Sequence, residues 1–542
     1  MRIGRTKNFI AAAVLILSMA LASCTGQGTS EADLEKQTAS YLNFLDTEPK
    51  IADPQRISED YTVALNVFDR LVETEEEDGK NRLKPSLADS WEVSDDGLEY
   101  TFRLHEGVTF SNGEALTAED VRFTFERLLT HPDSKSRDLA ANIRGAAALS
   151  EGRADELAGF EVLDDYSFRI TLETPYAAFL EALSTPGASI LDRESTLACG
   201  DDFGTSPETT VGTGPFVISQ WLSGETITMT ANESCWAGPP ACAGLKMMFY
   251  SDTDPLMNMF QDGEIDILDL DKLSLDAEYF LHGDSYRKNL VRGERIGIFF
   301  IALNANVAPL GNVKVRKALQ LALDRNALLE VGAGGRGVLE NGIIPRGAKG
   351  YNEDLEEIPY DPEEAKRLLA ETGFTNFYLN IGCPVSASQS TKEMLKLVVS
   401  MWEDIGLTVG FDEMDDSRFT ERWRSGMLAC YAGSWTADFN DPDNFFYTFF
   451  GTRENTNSRS LGYRDEEVMQ RVRDARTILD EEERIAEYQD LEIKIAQEDA
   501  AWIPLYSKLH FFAVSDRVEG FQVRWNGWSG NRYDDVIIKE EE

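Results

Sequence analysis

Apolar and polar positions in this chain follow two different periods, and the switches between them mark out its elements. Tyr41-Leu42-Asn43-Phe44-Leu45 reads as a first strand. Trp91-Glu92-Val93 and Tyr100-Thr101-Phe102 flank Asp95-Asp96-Gly97, which predicts a hairpin, and Asn112-Gly113 marks a second turn. Thr117 with Asp120 predicts a capped helix whose apolar stripe is Val121, Phe125 and Leu128. Asp361, Pro362 and Glu364 carry the signal of another helix start, with a capping box. Met394, Leu397, Val398, Met401, Trp402 and Ile405 fall at helical spacing, so that helix lays one face on a sheet and its tryptophan belongs to the core. Strands alternate with helices after residue 300, which predicts an α/β sheet with helices on both faces.

The stretch Ala432 to Phe450, AGSWTADFNDPDNFFYTFF, concentrates the chemistry. Met427 to Trp435 alternates small and large apolar groups and reads as a buried strand. Asp438 lies just past its end, before an Asp-Pro-Asp-Asn turn at 441–444 and the aromatics Phe445, Phe446, Tyr447, Phe449 and Phe450. Open α/β sheets bind ligands just beyond strand ends. An acid there can serve as counter-ion to a cationic group, with Trp435 as a flat apolar wall. The same residues also fit a turn acid that caps the next helix, backed by core aromatics.

A length of 542 residues allows roughly three or four units at about 150 residues each. A hydrophobic share of 42% against 27% charged supports a large soluble core. The net charge of −43 argues against nucleic acid as a partner. At the start, Arg2, Arg5 and Lys7 precede an apolar run from Phe9 to Leu17 that is short for a membrane span. Leu21-Ala22-Ser23-Cys24 follows and resembles the bacterial lipobox, which makes residues 1–23 a signal peptide and Cys24 the lipidated (palmitate-bearing) residue. An ordinary secretory signal with a chance cysteine is the alternative. Residues 24–40 read as a tether. Export permits disulfides, and Cys235 and Cys242 are placed to bridge across a Gly-Pro-Pro turn. The four histidines, His105, His131, His282 and His510, are isolated, so no metal site and no cofactor is expected.

Several runs then resemble one family. They are NVFDRL at 66–71, PSLADSWEV at 85–93, SDDGLEYTFRL at 94–104, HEGVTFSNG at 105–113 and LTAEDVRFTFERLL at 116–129. VGTGPF at 211–216, FQDGEIDI at 260–267, VKVRKALQLALDR at 313–325, YDPEEAKRLLAETGF at 360–374 and Trp502-Ile503-Pro504-Leu505-Tyr506 continue the pattern. Together they resemble the family 5 solute-binding proteins of ABC importers, the peptide-binding group.

The resemblance implies a two-lobed periplasmic-binding-protein fold, type II, with an extra subdomain and a ligand cleft between the lobes. Lobe I would comprise 41–62, 205–297 and 506–542, the extra subdomain 63–204, and lobe II 298–505. It implies that Asp438 of Trp435-Thr436-Ala437-Asp438 takes a peptide's α-ammonium group, with Ser434, Thr436 and Ala437 alongside. Ser58, Glu59, Asp60 and Tyr61 would face the ligand from lobe I, and Tyr506 from the hinge. The implied protein is no enzyme. It is an extracytoplasmic, lipid-anchored monomer that passes peptides to the transmembrane subunits of an ABC permease. An oligosaccharide, a nickel chelate or haem on the same fold is the alternative, and a secreted hydrolase a more distant one. Gly332 to Gly337, GAGGRG, follows a helix rather than a strand, so it is a connecting loop and no dinucleotide site.

Overall fold

The computed structural model describes residues 41–77, 80–250, 255–271, 289–526 and 530–539. The leader, Cys24 and the tether lie outside these residues. One strand, Trp502–Val514, organises the rest. Its first half pairs antiparallel with Gly297–Leu303, and its second half pairs with Leu290–Glu294 and Ile267–Asp269. A single continuous strand therefore runs from one half of the molecule into the other. Beyond Gly297–Leu303 come Cys430–Thr436, Tyr378–Pro384 and Thr408–Met414. On the other side come Tyr41–Asp46, Gly244–Phe249, Thr226–Ala231 and Phe216–Leu222. This is a mixed α/β fold with two lobes, as the resemblance implies.

Local sequence explains the layering. Gly297–Leu303 is apolar throughout because it is covered on both faces. Ile298, Phe300 and Ala302 enter one core cluster, and Ile301 and Leu303 enter another. Trp402, on the helix Gln389–Asp404, is fully buried and donates its indole N–H to Leu319 O at 3.0 Å. A separate antiparallel sheet orders Ala88–Val93, Glu99–Leu104, Ser167–Thr171 and Phe160–Asp164. It shares a core containing Phe102, Phe125 and Phe168 with the helix Ala118–Thr130.

The caps follow expectation with one difference. Thr117 donates both its N–H and its hydroxyl to Asp120 Oδ2, each at 2.9 Å. Asp361 accepts the Glu364 N–H at 2.9 Å, but the Glu364 carboxylate turns to Arg367, so the second capping box is only half made. Gly334, at φ +60°, ends the helix Arg325–Ala333, and the chain turns into the strand Gly337–Leu339. The expected Cys235–Cys242 bridge is not present. Both thiols are free and buried, and Cys242 is turned inward with its Sγ 3.6 Å from Gly244 O.

Candidate functional site

The strand Cys430–Thr436 is held to Gly297–Leu303 along its length, but on its other edge only Cys430 and Tyr431 pair, with Ile381 and Gly382. From Ala432 onward that second edge has no strand partner among the described residues. Ala437 then donates its N–H to Ile296 O at 2.8 Å, which fixes the exit of the chain from the strand.

Asp438 comes next and is gripped by Asn444. Asn444 Nδ2 donates to Asp438 Oδ2 at 3.1 Å, and its Oδ1 accepts the Asp438 N–H at 3.2 Å and the Trp435 indole N–H at 2.9 Å. One amide thus aligns both the acid and the ring. Asp438 lies deep in the protein, yet its own surface is not covered, because it faces a cavity of about 630 Å³. The enclosure pushes its pKa up to about 6. Asp138 across the cavity adds to the rise, while Asn444 and Arg459 oppose it.

The aromatic run divides by helical period. On the helix Asp443–Phe450, Phe445, Phe446, Phe449 and Phe450 face the core, while Tyr447 and Thr448 face the cavity. Trp435 and Phe439 complete the apolar wall, and Phe449 supports Trp435 edge-on from behind at 5.3 Å. The turn acids are structural. Asp441 pairs with Arg484 at 2.7 Å, and Asp443 pairs with Arg476 at 3.0 Å while accepting from Tyr176 at 2.9 Å.

The opposite wall comes from the segment that follows the separate four-stranded sheet and from the connection between its strands Glu99–Leu104 and Phe160–Asp164. Tyr176, Ala182 and Asp138 line it. Ala178, Ala182 and Phe439 form a small apolar cluster that joins the two walls. Lys349 bonds Glu181 at 2.5 Å and Glu481 at 3.0 Å. Glu181 faces a second cavity of about 920 Å³, lined also by Lys80, Arg82 and Arg346, whereas Ala182 faces the first.

The other expected contacts fare differently. Ser434 and Thr436 are exposed beside Trp435 but outside the lining of the first cavity. Tyr61 is buried and donates to Ile57 O at 3.1 Å. Its pKa is raised by burial first and by the charge of Asp438 next, which places the two groups near each other. Asp60, at φ +60°, accepts from Thr47 at 3.1 Å, and Ser58 and Glu59 point to the surface. Tyr506 is a correction: it is buried in the core, stacked on Phe299 at 5.0 Å with its hydroxyl 3.6 Å from Met394 Sδ, because it sits mid-strand between packed layers.

Asn444, Asp138, Tyr176, Arg459 and Arg476 escaped the sequence reading. Asn444 alone had a signal, as the last residue of the turn that follows the acid. Among the described residues, no group of three His, Cys, Asp or Glu side chains is arranged to hold a metal. No helix among them is long and apolar enough to cross a membrane.

Comparison with known proteins gives consistent results. The chain is 29% identical to "Heme-binding protein A" of Haemophilus influenzae over 96% of its length and 97% of that protein's. It is 30% identical to "Probable di/tripeptide-binding protein 5" of Pseudomonas aeruginosa over 99% and 100%. The solved structure of HbpA2 from Haemophilus parasuis is 27% identical and superimposes with a TM-score of 0.78, covering 92% of this chain and 100% of that one. Residues 82–457 match the family described as bacterial extracellular solute-binding proteins, family 5. The chain therefore belongs to the family 5 bacterial extracellular solute-binding proteins.

Proposed function

We propose that this protein captures short peptides in the cavity beside Asp438 and delivers them to an ABC import permease from a lipid anchor at Cys24. The observation that carries the reading is the Asp438 carboxylate, held by Asn444 beside Trp435 and facing an enclosed space with its pKa at about 6. A carboxylate raised by enclosure is short of a cation, and a peptide's α-ammonium supplies one. The open edge of Ala432–Thr436 suits an extended peptide added as a strand; Ala437, whose N–H is engaged by Ile296, offers only its carbonyl. Lobe I as 41–62, 205–297 and 506–542, the subdomain 63–204 and lobe II 298–505 complete the reading. Its last crossing falls inside the strand Trp502–Val514.

Haem is the second reading, because one relative carries that name. Among the described residues, the cavity lining includes no His, Cys or Met to ligate iron, and of its two tyrosines Tyr176 donates its hydroxyl to Asp443 and Tyr447 lies under Arg476, while Asp438 and Asp138 oppose propionates, so the peptide is favoured.

Calorimetry with di- and tripeptides tests the choice. Binding that is lost on N-acetylation of the peptide, and weakened at least roughly tenfold by Asp438→Ala, supports the peptide reading, since breaking such a pair costs roughly 2–5 kcal/mol. Haem titration with a Soret shift and no peptide binding would reverse it.

A further inference from the structure

The segment 175–184 shuts one side of the cavity beside Asp438, and it is fastened to the chain opposite at three polar points. Tyr176 donates to Asp443 at 2.9 Å, Ala177 donates its N–H to Arg476 O at 2.9 Å, and Glu181 pairs with Lys349 at 2.5 Å. Ala178 and Ala182 close on Phe439 between these points. Among the described residues, Lys349–Glu181 is the only ion pair that joins residues 63–204 to residues 298–505.

Each end of this pair stands on a firm base. Glu181 belongs to the helix Phe179–Ala182, which Phe179 pins to its own sheet by an edge-on contact with Tyr100 at 4.8 Å. Lys349 lies on a loop tied to the helix Glu481–Glu492: Gly350 O accepts from Gln489 Nε2 at 3.1 Å, and Glu481 accepts from Lys349 Nζ at 3.0 Å. The Lys349 backbone N–H donates at 2.8 Å to the side chain of buried Asn440, two residues past Asp438. Lys349 therefore touches both walls. Its backbone supports the chain that carries Asp438, and its side chain holds the segment across the cavity.

The two carboxylates on Lys349 differ in what opening does to them. The Glu481 side chain is 61% exposed and stands on the same side as Lys349, whereas Glu181 is 12% exposed and stands on the other. When the walls part, Lys349 keeps Glu481 and Glu181 passes into water, so no charge is left buried and alone. Such a pair favours the closed form without forbidding the open one. It also stands behind the site: Ala182 lines the first cavity and Glu181 the second, and Lys349 lines only the second.

We propose that Lys349 is a positioning residue for ligand retention: through Glu181 it latches the segment 175–184 against the Asp438 wall, and the parting of this pair lets the ligand out. The identity of the ligand rests on the peptide reading above.

Two measurements test it. Stopped-flow tryptophan fluorescence with tri-alanine reads the rates of binding and release, and hydrogen exchange of the ligand-free protein reads the segment 175–184 without any peptide. Glu181→Ala leaves Lys349 its Glu481 partner, and Lys349→Met keeps an apolar stem. Each is expected to raise the dissociation rate roughly 3- to 30-fold, with the association rate changed less than about twofold. The double variant goes no further than either single, because both remove the same interaction. Lys349→Arg restores slow release. Exchange across 175–184 quickens in Glu181→Ala and Lys349→Met. A dissociation rate unchanged in both single variants overturns the proposal and leaves peptide binding standing, as do losses that add in the double. Faster exchange with no binding of tri-alanine overturns the peptide reading and leaves the latch, and unchanged exchange with no binding overturns both.

Discussion

Asn444 grips Asp438 by two bonds, donating to its carboxylate at 3.1 Å and accepting its backbone N–H at 3.2 Å. The same side-chain oxygen holds the Trp435 indole N–H at 2.9 Å. The acid and its apolar wall are therefore set by one residue that need not touch ligand. Asn444→Ala frees both and leaves the Trp435 N–H without its acceptor. The expected outcome is peptide affinity lower by roughly 5- to 150-fold, since bonds of this kind contribute about 1–3 kcal/mol. Titration calorimetry at neutral pH reads it, and unchanged affinity would assign Asp438 its orientation from elsewhere.

Asp438 ties binding to stability. Its pKa in the fold is raised to about 6 from 3.8, so the folded chain holds a proton that the unfolded chain has released. Stability from this group is full below the unfolded value and falls as pH climbs through the window up to about 6. Asp438→Asn removes the charged state. The variant is expected to melt higher than ligand-free wild type at pH 7.5, to match it at pH 3.5, and to bind no peptide. Wild-type affinity for an ammonium ligand should fall as pH drops below about 6. A variant that melts lower at pH 7.5 would contradict this account.

A second pair of acids gives the protein an alkaline weakness. Glu492 accepts the Ile344 N–H at 2.7 Å and also binds the Ile343 N–H, and Glu340 accepts the Ser507 hydroxyl at 2.5 Å and the Arg346 N–H at 3.0 Å. The Oε2 atom of each is buried with no partner. Burial pushes Glu340 up to about 7 and Glu492 up to about 8, from an ordinary 4.5. The sign is the same as for Asp438: stability declines as pH rises from the unfolded value toward these folded ones. A Glu340→Gln/Glu492→Gln variant keeps acceptors for the backbone N–H groups. It should out-melt wild type at pH 8.5 and converge with it near pH 4. Parallel melting curves across that range would refute the assignment.

Much of this was legible in the sequence, for identifiable reasons. Thr117 with Asp120, Trp402 on its helical stripe and the strand before Asp438 are local patterns, and local patterns survive folding. The strand began three residues later than its apolar run, at Cys430 rather than Met427. Tyr506 looked like a site residue because it stands in a family motif, but mid-strand burial decides its neighbours. Arg459 and Asp138 could not be found, because nothing near them in sequence reports that Trp435 and the opposite wall will meet there. Charges that act across a cavity are set by tertiary distance alone.

That tertiary contact itself can be tested. Asp443 is buried between Arg476 at 3.0 Å, Tyr176 at 2.9 Å and Tyr488 at 3.2 Å. Arg476 lies over the Tyr447 ring at 3.7 Å and the Tyr176 ring at 4.6 Å, and its carbonyl accepts the Ala177 N–H at 2.9 Å. The wall that carries Tyr176 is thus joined to the helices behind the site through one buried ion pair. Arg476→Ala strands the Asp443 carboxylate and is expected to cost about 3–5 kcal/mol. Asp443→Asn added to it removes the stranded charge; the amide oxygen accepts from one tyrosine and the amide N–H donates to the hydroxyl of the other, so the double variant should recover most of the loss. Denaturant melts of the two single variants and the double close the cycle. Additive losses, with no recovery, would show that Arg476 acts through its ring contacts and not through Asp443.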